Sequence, residues 1–485
     1  MDYLIKGYKP ESLFHFFEQI SAIPRGSGNE KGISEFLMGF AAERGLEAWT
    51  DELHNVVIRK AASAGAEGRP AVMLQGHLDM VCEKVAGVQH DFERDGIELV
   101  VENGVLRANG TTLGSDNGAA VALMMAVLDD GTLEHPPLEC VFTVQEETGL
   151  AGAQGIDKSR LKAKMMINLD SEEEGVATVS CAGGLRYDMT RTYEPAPVPP
   201  YAAEIDVAGL RGGHSGMDID KERANAIKLA ARLAACALRA PGAHLASFSG
   251  GSRDNAIARE AKAVLAFNSE GSLVQALDSV RSLADDIAAE LGSSEPDLAI
   301  NVQPCGCPDS AVPAAGARAF LAALELGMHG VLSRDMQRGG FVVSSVNLGV
   351  ASCAGGSMHI VFNPRSSVES LQDYTLEKLE LLAQAFGFSG AVRSRYPGWA
   401  YAEKSELRPV IDEVWREVSG SHMRFEAIHA GLECGLFAAA MPGLDAVAIG
   451  PTLIGVHSPD EHMPLDSYER TWELVTGVLR KLAHK

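Results

Sequence analysis

The chain has 485 residues, of which 46% are hydrophobic and 22% charged, a composition typical of globular proteins. Its length exceeds one ordinary core and indicates two domains. The net charge of −23 would repel a phosphate backbone, which argues against nucleic acid as a partner. The longest apolar run, Gly118 to Leu128, is too short for a membrane helix, and no N-terminal signal pattern is present. We therefore expect a cytoplasmic protein without a membrane partner.

The first part of the chain alternates between helical and strand-like patterns. From Pro10 to Ala48 the spacing of Leu, Phe and Ile predicts two helices, separated by Pro24 and the glycines after it. Short apolar runs follow, each ending in polar residues: AVMLQGHLDM, ECVFTVQEET and KMMINLD. Between them lies the helical pattern of Gly118 to Leu128. This alternation predicts an α/β fold whose ligands gather beyond the carboxyl ends of the strands.

The pattern changes after Gly183 and Gly184, where the Pro-rich piece EPAPVPP leads into a new region. Helices are predicted there from about Lys221 to Leu238, from Leu273 to Leu291 and around Ala315 to Leu326. The runs FVVSSVNLGVAS and MHIVFNPRSS predict paired antiparallel strands. We predict a catalytic domain of residues 1–186 and 396–485, with a mixed sheet flanked by helices. An α+β lid domain of residues 187–395 would interrupt it.

Polar residues at the predicted strand ends and turns have the chemistry of metal ligands. In QGHLDMV, His77 and Asp79 point to one strand face, so that one residue can bind a metal while the other orients it. A polar strand end without function is the alternative. Asp116 lies in the glycine-lined turn of NGTTLGSDNGAA, where it either approaches a ligand closely or caps the following helix.

Further acids and histidines follow later strands. Glu146 and Glu147 end VFTVQEETG, where one acid can bind metal and the other transfer protons, unless both belong to a solvated turn. Asp170 ends another apolar strand in MINLDSEEEG. His457 and His462 in IGVHSPDEHM both offer an imidazole ligand. We favour His457 because it lies nearer to the preceding strand, and His462 remains the alternative.

In combination, these segments closely resemble the co-catalytic zinc peptidase family of aminoacylases, carnosinases and bacterial dipeptidases. The strings GTTLGSDNGAA, QEETGLAGA, NLDSEEEG, HAGLECG and HSPDEH are similar to its aminoacyl-histidine dipeptidase branch. The resemblance spans nearly the whole chain. It implies metal-dependent hydrolysis of dipeptides, Xaa-His among them, with two Zn²⁺ ions per chain and Co²⁺ or Mn²⁺ as alternative metals.

The resemblance also implies a set of metal ligands. Asp116 would bridge the two ions. His77 and Asp170 would complete the coordination of one ion, and Glu147 and His457 that of the other.

The implied reaction uses a hydroxide that bridges the zincs, with Glu146 as general base and Asp79 holding the first histidine ligand in its tautomer. Rival functions are a related amidohydrolase or deacylase, an exopeptidase for longer peptides, and a non-catalytic metal-binding protein of the same fold. The last of these would be expected to lack Glu146 or a ligand, and the sequence lacks neither.

Substrate contacts are implied in the lid domain. His214 in LRGGHSGMDI would stabilise the oxyanion, and Asn255 in GGSRDNAIAR would contact a small peptide substrate. Arg365 can bind a dipeptide's terminal carboxylate through two hydrogen bonds. Glu433 would either receive the substrate's amino group or make a structural contact. A homodimer formed through the lid domain also stays open.

Overall fold

The computed structural model describes residues 3–485 and divides them into two compact units. The first unit contains the residues up to Ser180, together with Tyr401–Ala427 and Leu432–Lys485. The second unit contains Cys181–Ala400 and the short segment Ile428–Gly431. The second unit is therefore an insertion in the first, and it receives one further short segment from the returning chain.

The elements within residues 3–485 are numbered in chain order. The helices are α1 (Glu11–Ser21), α2 (Lys31–Glu43), α3 (Ser115–Asp129), α4 (Ala151–Gly155), α5 (Ala226–Ala237), α6 (Glu270–Leu291), α7 (Ala314–Leu326), α8 (Glu369–Ala385), α9 (Leu407–Ser419), α10 (Glu433–Ala440) and α11 (Leu465–His484). The strands are β1 (Glu47–Thr50), β2 (Val56–Lys60), β3 (Val72–His77), β4 (Leu99–Glu102), β5 (Val105–Ala108), β6 (Leu138–Thr143), β7 (Met165–Asn168), β8 (Val176–Cys181), β9 (Gly183–Thr192), β10 (Tyr201–Ala208), β11 (Gly213–His214), β12 (Ala243–Gly250), β13 (Ala256–Ile257), β14 (Ala261–Phe267), β15 (Ala299–Pro304), β16 (Gly330–Asp335), β17 (Phe341–Ala354), β18 (Ser357–Ser366), β19 (Ser389–Tyr396), β20 (Arg424–Ile428), β21 (Asp445–Ala448) and β22 (His462–Pro464).

The first unit is built on a mixed sheet with strand order β1-β2-β6-β3-β7-β21-β8-β20. Its centre is parallel, since β3 pairs in parallel with β6 and β7, and β21 pairs in parallel with β7. The pairs β1–β2, β2–β6 and β21–β8 are antiparallel. The predicted α/β fold with a mixed sheet is confirmed. Because the central strands are parallel, their carboxyl ends lie at one edge of the sheet.

Helix α3 is the central helix of the first unit. Its sequence, SDNGAAVALMMAVLD, is apolar on every face after the first turn, and from Asn117 to Leu128 every residue is buried. A helix of this kind must be covered on all sides. It packs against β3, α1 and α11, and Tyr468 of α11 donates a hydrogen bond to the carbonyl oxygen of Ala119 at 2.6 Å. This packing fixes the start of α3, where Asp116 lies.

The second unit is built on an antiparallel sheet with strand order β15-β10-β14-β12-β17-β18-β9-β19, and β16 pairs with β17. The predicted pair of runs forms β17 and β18, which pair in antiparallel fashion. The Ala-rich helix α5 packs on β10 and β14. It begins at Ala226 and not near Lys221 as predicted, because the side chain of Asn225 accepts a hydrogen bond from the backbone N–H of Ile227 and caps the helix there.

None of the helices within residues 3–485 combines the length and the apolar composition needed to cross a bilayer.

Candidate active site

The side chains predicted as metal ligands converge in the first unit. They form three overlapping groups, and within each group the ligand atoms all lie within 4.8 Å of one another. The groups are His77, Asp116 and Asp170; Asp116, Glu147 and His457; and His77, Glu146 and Glu147. The groups form because β3, β6 and β7 end at one edge of the sheet, with His77 and Thr143 opposite each other as the last residues of their strands. His462 begins β22, where it pairs with Arg107, and belongs to none of these groups.

Asp116 lies between the two histidines of the cluster. Its Oδ1 is 3.0 Å from Nε2 of His77, and its Oδ2 is 3.1 Å from Nε2 of His457. Nε2 of His77 also lies 3.6 Å from Oδ1 of Asp170, and Nε2 of His457 lies 3.0 Å from Oε1 of Glu147. The two oxygens of Asp116 thus face two separate groups of donor atoms, which is the arrangement that a bridging carboxylate requires.

The cluster carries more acids than bases, and the pKa values respond to that imbalance. Contacts with Asp116 and Glu147 raise the pKa of His457 to about 11. Burial raises the pKa of Glu146 well above its usual range, and neighbouring carboxylates including Asp170 add to the effect. Burial opposes ionisation of Asp116, but its hydrogen bonds with the two histidines outweigh burial and keep its pKa low. The excess of carboxylates over histidines in the cluster also favours a bound cation.

Asp79 connects the end of β3 with the turn that carries the adjacent glutamates. Nδ1 of His77 lies 3.0 Å from the backbone oxygen of Asp79 and 3.3 Å from its Oδ1. These acceptors favour a proton on Nδ1, which leaves Nε2 free to bind a metal. The carboxylate of Asp79 also accepts hydrogen bonds from the backbone N–H groups of Glu146 at 3.0 Å and Glu147 at 3.3 Å. Asp79 therefore orients both sides of the cluster.

Residues that the sequence did not single out complete this framework. Ser27 donates a hydrogen bond to Asp79 at 2.8 Å. Asn117 accepts one from the backbone N–H of His77 at 3.2 Å and donates one to the backbone oxygen of Leu169 at 2.9 Å, so that it ties β3 to the end of β7. Glu461 binds the backbone of the turn before Asp116. Asn117 lies within GTTLGSDNGAA and Glu461 within HSPDEH, so the resemblance of these two segments to the family was the available signal.

Glu433 lies at the start of α10 and is fully buried. Its Oε2 accepts hydrogen bonds from Nε2 of Gln75 at 2.5 Å and from the hydroxyl of Thr143 at 2.7 Å. Burial raises its pKa to about 7. Gln75 in turn accepts a hydrogen bond from the side chain of Asn168 at 2.7 Å. Its Oε1 is buried and has no hydrogen-bond partner within the described residues, so these contacts do not choose between the two roles predicted for Glu433.

In the second unit, His214 and Asn255 lie on neighbouring segments. β11 pairs with β13, which places His214 opposite Ala256, and the backbone N–H of Ser215 donates to the backbone oxygen of Asn255 at 2.9 Å. Nδ1 of His214 accepts hydrogen bonds from the backbone N–H groups of Gly216 and Met217. Burial, and then the positive charge of Arg365, lower the pKa of His214. Its imidazole is therefore neutral at pH 7, with Nε2–H available as a donor.

Arg365 is held close to this pair. Its Nε donates to the hydroxyl of Ser215 at 3.3 Å and to Oδ1 of Asn363 at 3.1 Å, and its Nη1 donates to the hydroxyl of Tyr396 at 3.0 Å. The residue is only 6% exposed, yet no carboxylate pairs with it in the part of the chain that the structure describes. A buried cation without an anionic partner is costly, so this site favours an anionic ligand.

His429, the first residue of the segment HAGLECG, is a further residue that the sequence did not single out. It belongs to the short segment Ile428–Gly431, and its Nε2 lies 2.7 Å from the hydroxyl of Ser345. Burial and, after it, the charge of Arg365 lower the pKa of His429 to about 3. The neutral imidazole adds no positive charge beside the guanidinium.

Comparisons with known proteins show which peptidases this chain is similar to in sequence and in fold. The model of the peptidase family M20/M25/M40 matches residues 73–481. The cytosol non-specific dipeptidase of Escherichia coli (strain K12) is 35% identical over 479 residues, which cover 98% of each chain. The crystal structure of an aminoacylhistidine dipeptidase from Vibrio alginolyticus matches with a TM-score of 0.92 and 32% identity, over 99% of this chain and 98% of that chain. The aminopeptidase PepT from Bacillus cereus ATCC 10987 matches with a TM-score of 0.56 and 18% identity, over 98% and 99% of the two chains, which indicates a shared fold alone.

Proposed function

Because this chain belongs to the peptidase family M20/M25/M40, we propose that it is a metal-dependent dipeptidase whose substrates include Xaa-His dipeptides. The observation that carries the proposal is the position of Asp116, whose two oxygens face His77 on one side and His457 on the other. A shared carboxylate between two groups of ligand atoms suits a pair of divalent ions.

The donor atoms fit two zinc ions. Carboxylate oxygens and imidazole nitrogens are the ligands that Zn²⁺ prefers where cysteine is absent, and three protein ligands per ion is the number typical of catalytic zinc sites. His77, Asp116 and Asp170 would hold one ion, and Asp116, Glu147 and His457 the other. Their three carboxylates offset most of the charge of two divalent cations. Co²⁺ or Mn²⁺ would fit the same donors.

The bound metal would polarise the scissile carbonyl and acidify a water molecule. Glu146 takes the proton of the attacking water on its carboxylate and then delivers it to the leaving amine. Burial suits Glu146 to this role, because a carboxylate with a raised pKa is a stronger base and a useful acid near neutral pH. Asp79 holds both the imidazole of His77 and the backbone of Glu146 in place.

The second unit is proposed to bind the substrate. Arg365 would bind the terminal carboxylate of a dipeptide, since its buried guanidinium has an anion-free neighbourhood within the described residues. His214 would donate its Nε2–H to the oxyanion that develops at the scissile carbonyl. Asn255 would contact the peptide. A carboxylate bound at a fixed place favours dipeptides over longer peptides, whose scissile bond would be misplaced.

The test is a substrate panel measured with defined metals. We expect about two metal ions per chain, hydrolysis of dipeptides, and weak hydrolysis of N-acyl amino acids and tripeptides. Glu146→Gln is the matched control, because it should retain the metal and lose turnover. Faster hydrolysis of N-acyl amino acids would favour the deacylase alternative. Two bound ions without hydrolysis of any amide would favour a metal-binding protein of the same fold.

We also propose a homodimer formed through the second unit. Strand β19 lies at an edge of its sheet, and Val392 on this strand is 42% exposed. Such an edge is suited to pairing with a second copy. Sedimentation should show a dimer that Val392→Lys weakens. Val274→Lys, at an exposed position of α6 in the same unit, should leave it unchanged. A monomer in the unmodified protein would overturn this proposal.

A further inference from the structure

Glu461 stands out because its buried carboxylate is saturated by one turn of the backbone. The residue is 2% exposed. Its oxygens accept hydrogen bonds from the backbone N–H groups of Leu113 at 2.8 Å, Gly114 at 2.9 Å, Ser115 at 2.8 Å and Asp116 at 3.3 Å, and from the hydroxyl of Ser115 at 2.6 Å. Consecutive N–H groups that converge in this way form an anion-binding nest, which here is filled by a side chain of the protein.

Glu461 lies in the same loop as His457, the loop between Ile454 and His462. This loop is closed at its base by two hydrogen bonds, from the backbone N–H of Ile454 to the oxygen of His462 at 3.0 Å and in the reverse direction at 2.9 Å. Inside the loop, the backbone N–H of Glu461 donates to the oxygen of Ser458 at 3.1 Å. The side chain of His457 is 49% exposed, so packing alone does not fix it. The position of His457 therefore depends on where its loop is anchored.

The turn that receives Glu461 is fixed on its other side. Arg25, which is buried, donates hydrogen bonds to the backbone oxygens of Gly114, Leu78 and Asp79. The turn before Asp116 is thus tied to the end of β3. Gly114 has a φ of 69°, a left-handed conformation that suits glycine and brings the N–H groups together.

We infer that Glu461 is a positioning residue, which anchors the loop of His457 to the turn of Asp116 and so sets the distance between these two ligands. The inference rests on the proposed function, because it assumes that Asp116 and His457 bind the same ion. Glu461 itself lies behind the turn and touches the backbone of Asp116 and not the reacting atoms. Its effect should therefore appear first in metal affinity.

The test replaces Glu461 with Gln, which keeps the shape of the side chain. The amide NH₂ then opposes backbone N–H donors that the carboxylate had satisfied. Loss of a group that orients metal ligands typically weakens metal binding 10- to 100-fold, and we expect a loss of about that size. The measurement is the metal retained per chain against increasing chelator, with the melting temperature of each metal-free variant recorded in parallel.

Glu139→Gln is the matched control in the same unit. Glu139 is also a buried carboxylate that accepts two backbone N–H groups, those of Lys162 at 2.8 Å and Ala163 at 2.9 Å, but it lies on β6 away from the ligands. The Glu139→Gln variant should have a lower melting temperature than the unmodified protein and the same metal retention. Equal metal loss in the Glu139 and Glu461 variants would overturn the inference, and so would unchanged retention in Glu461→Gln.

A milder variant decides the matter if Glu461→Gln does not fold. Ser115→Ala removes one hydrogen bond to Glu461 and keeps the backbone contacts, so we expect a smaller, several-fold loss of metal affinity. Unchanged affinity in this variant would overturn the inference. Asp116→Ala separates the role of Glu461 from the proposed function. If the unmodified protein binds no metal, both fail. If Asp116→Ala loses metal but Glu461→Gln retains it, only the role of Glu461 is overturned.

Discussion

Replacing Arg365 with Ala tests how the second unit recognises a substrate. The guanidinium is 6% exposed and is oriented by Ser215, Asn363 and Tyr396. A dipeptide carboxylate bound there would be paired and shielded from water. In the variant the carboxylate would enter the same place without its partner. Breaking a buried ion pair on one side costs about 3 to 5 kcal/mol.

That cost corresponds to a loss of roughly two to four orders of magnitude in kcat/KM, since each 1.36 kcal/mol is about a factor of ten. The kcat/KM of Arg365→Lys should lie between those of the unmodified protein and Arg365→Ala, because an ammonium keeps the charge and loses the planar pair of donors. The assay compares a dipeptide with its C-terminal amide, which offers no carboxylate. The amide should respond to Arg365→Ala far less than the dipeptide.

Arg186→Ala is the control for removal of an arginine from the same sheet. Arg186 lies on β9, is partly exposed, and already pairs with Asp188 at 3.1 Å, so its loss should change kcat/KM by less than about threefold. Equal losses on the dipeptide and the amide in Arg365→Ala would refute recognition of the terminal carboxylate by this residue.

Three further predictions concern Glu146, Asp116 and His329. Glu146→Gln should retain the metal and lower kcat by roughly 10²- to 10⁴-fold, because an amide cannot accept the proton of water; near-normal turnover would contradict its role as general base. Asp116→Ala should lose metal and activity together, and full metal occupancy in that variant would exclude bridging. Burial lowers the pKa of His329 to about 4, below the value of about 6.5 in an unfolded chain, so between these pH values the unfolded state binds the extra proton. The free energy of unfolding should therefore fall as the pH falls through this range, and His329→Asn should flatten that slope by up to about 1.4 kcal/mol per pH unit in urea titrations. An unchanged slope would show that His329 is not the group responsible.

The centre of the first unit was predictable because its parallel strands β3, β6 and β7 each have a local sequence signal. A short apolar run that ends in polar residues can be recognised within about ten positions, and the parallel pairing of β3, β6 and β7 then brings His77, Glu147 and Asp170 to one edge. The confirmed elements are of this kind. The start of α5 was misjudged because helical composition begins before the capping residue Asn225 that fixes the boundary.

Contacts between distant parts of the chain could not be predicted in the same way. Glu461 reaches a turn more than 340 positions earlier in the sequence, and no local pattern announces such a contact. The segment Ile428–Gly431 presents the same difficulty, since these four residues, which begin at the last residue of β20, belong to the second unit although the chain on both sides of them belongs to the first. Its residue His429 lies beside Ser345 only because of that excursion. Sequence patterns report local periodicity, whereas these contacts depend on the completed tertiary structure.

The position of β21 has a consequence for synthesis of the protein. This strand pairs with β7 on one side and β8 on the other, yet it is made only after the almost continuous chain of the second unit. During translation the second unit can close its sheet while β7 still exposes an unpaired edge. A chain that stops before Asp445 keeps that edge open to pairing with other chains, so we expect such truncated products to aggregate. His457 follows the same strand, and the ribosome must therefore release nearly the entire protein before all the side chains around Asp116 can assemble.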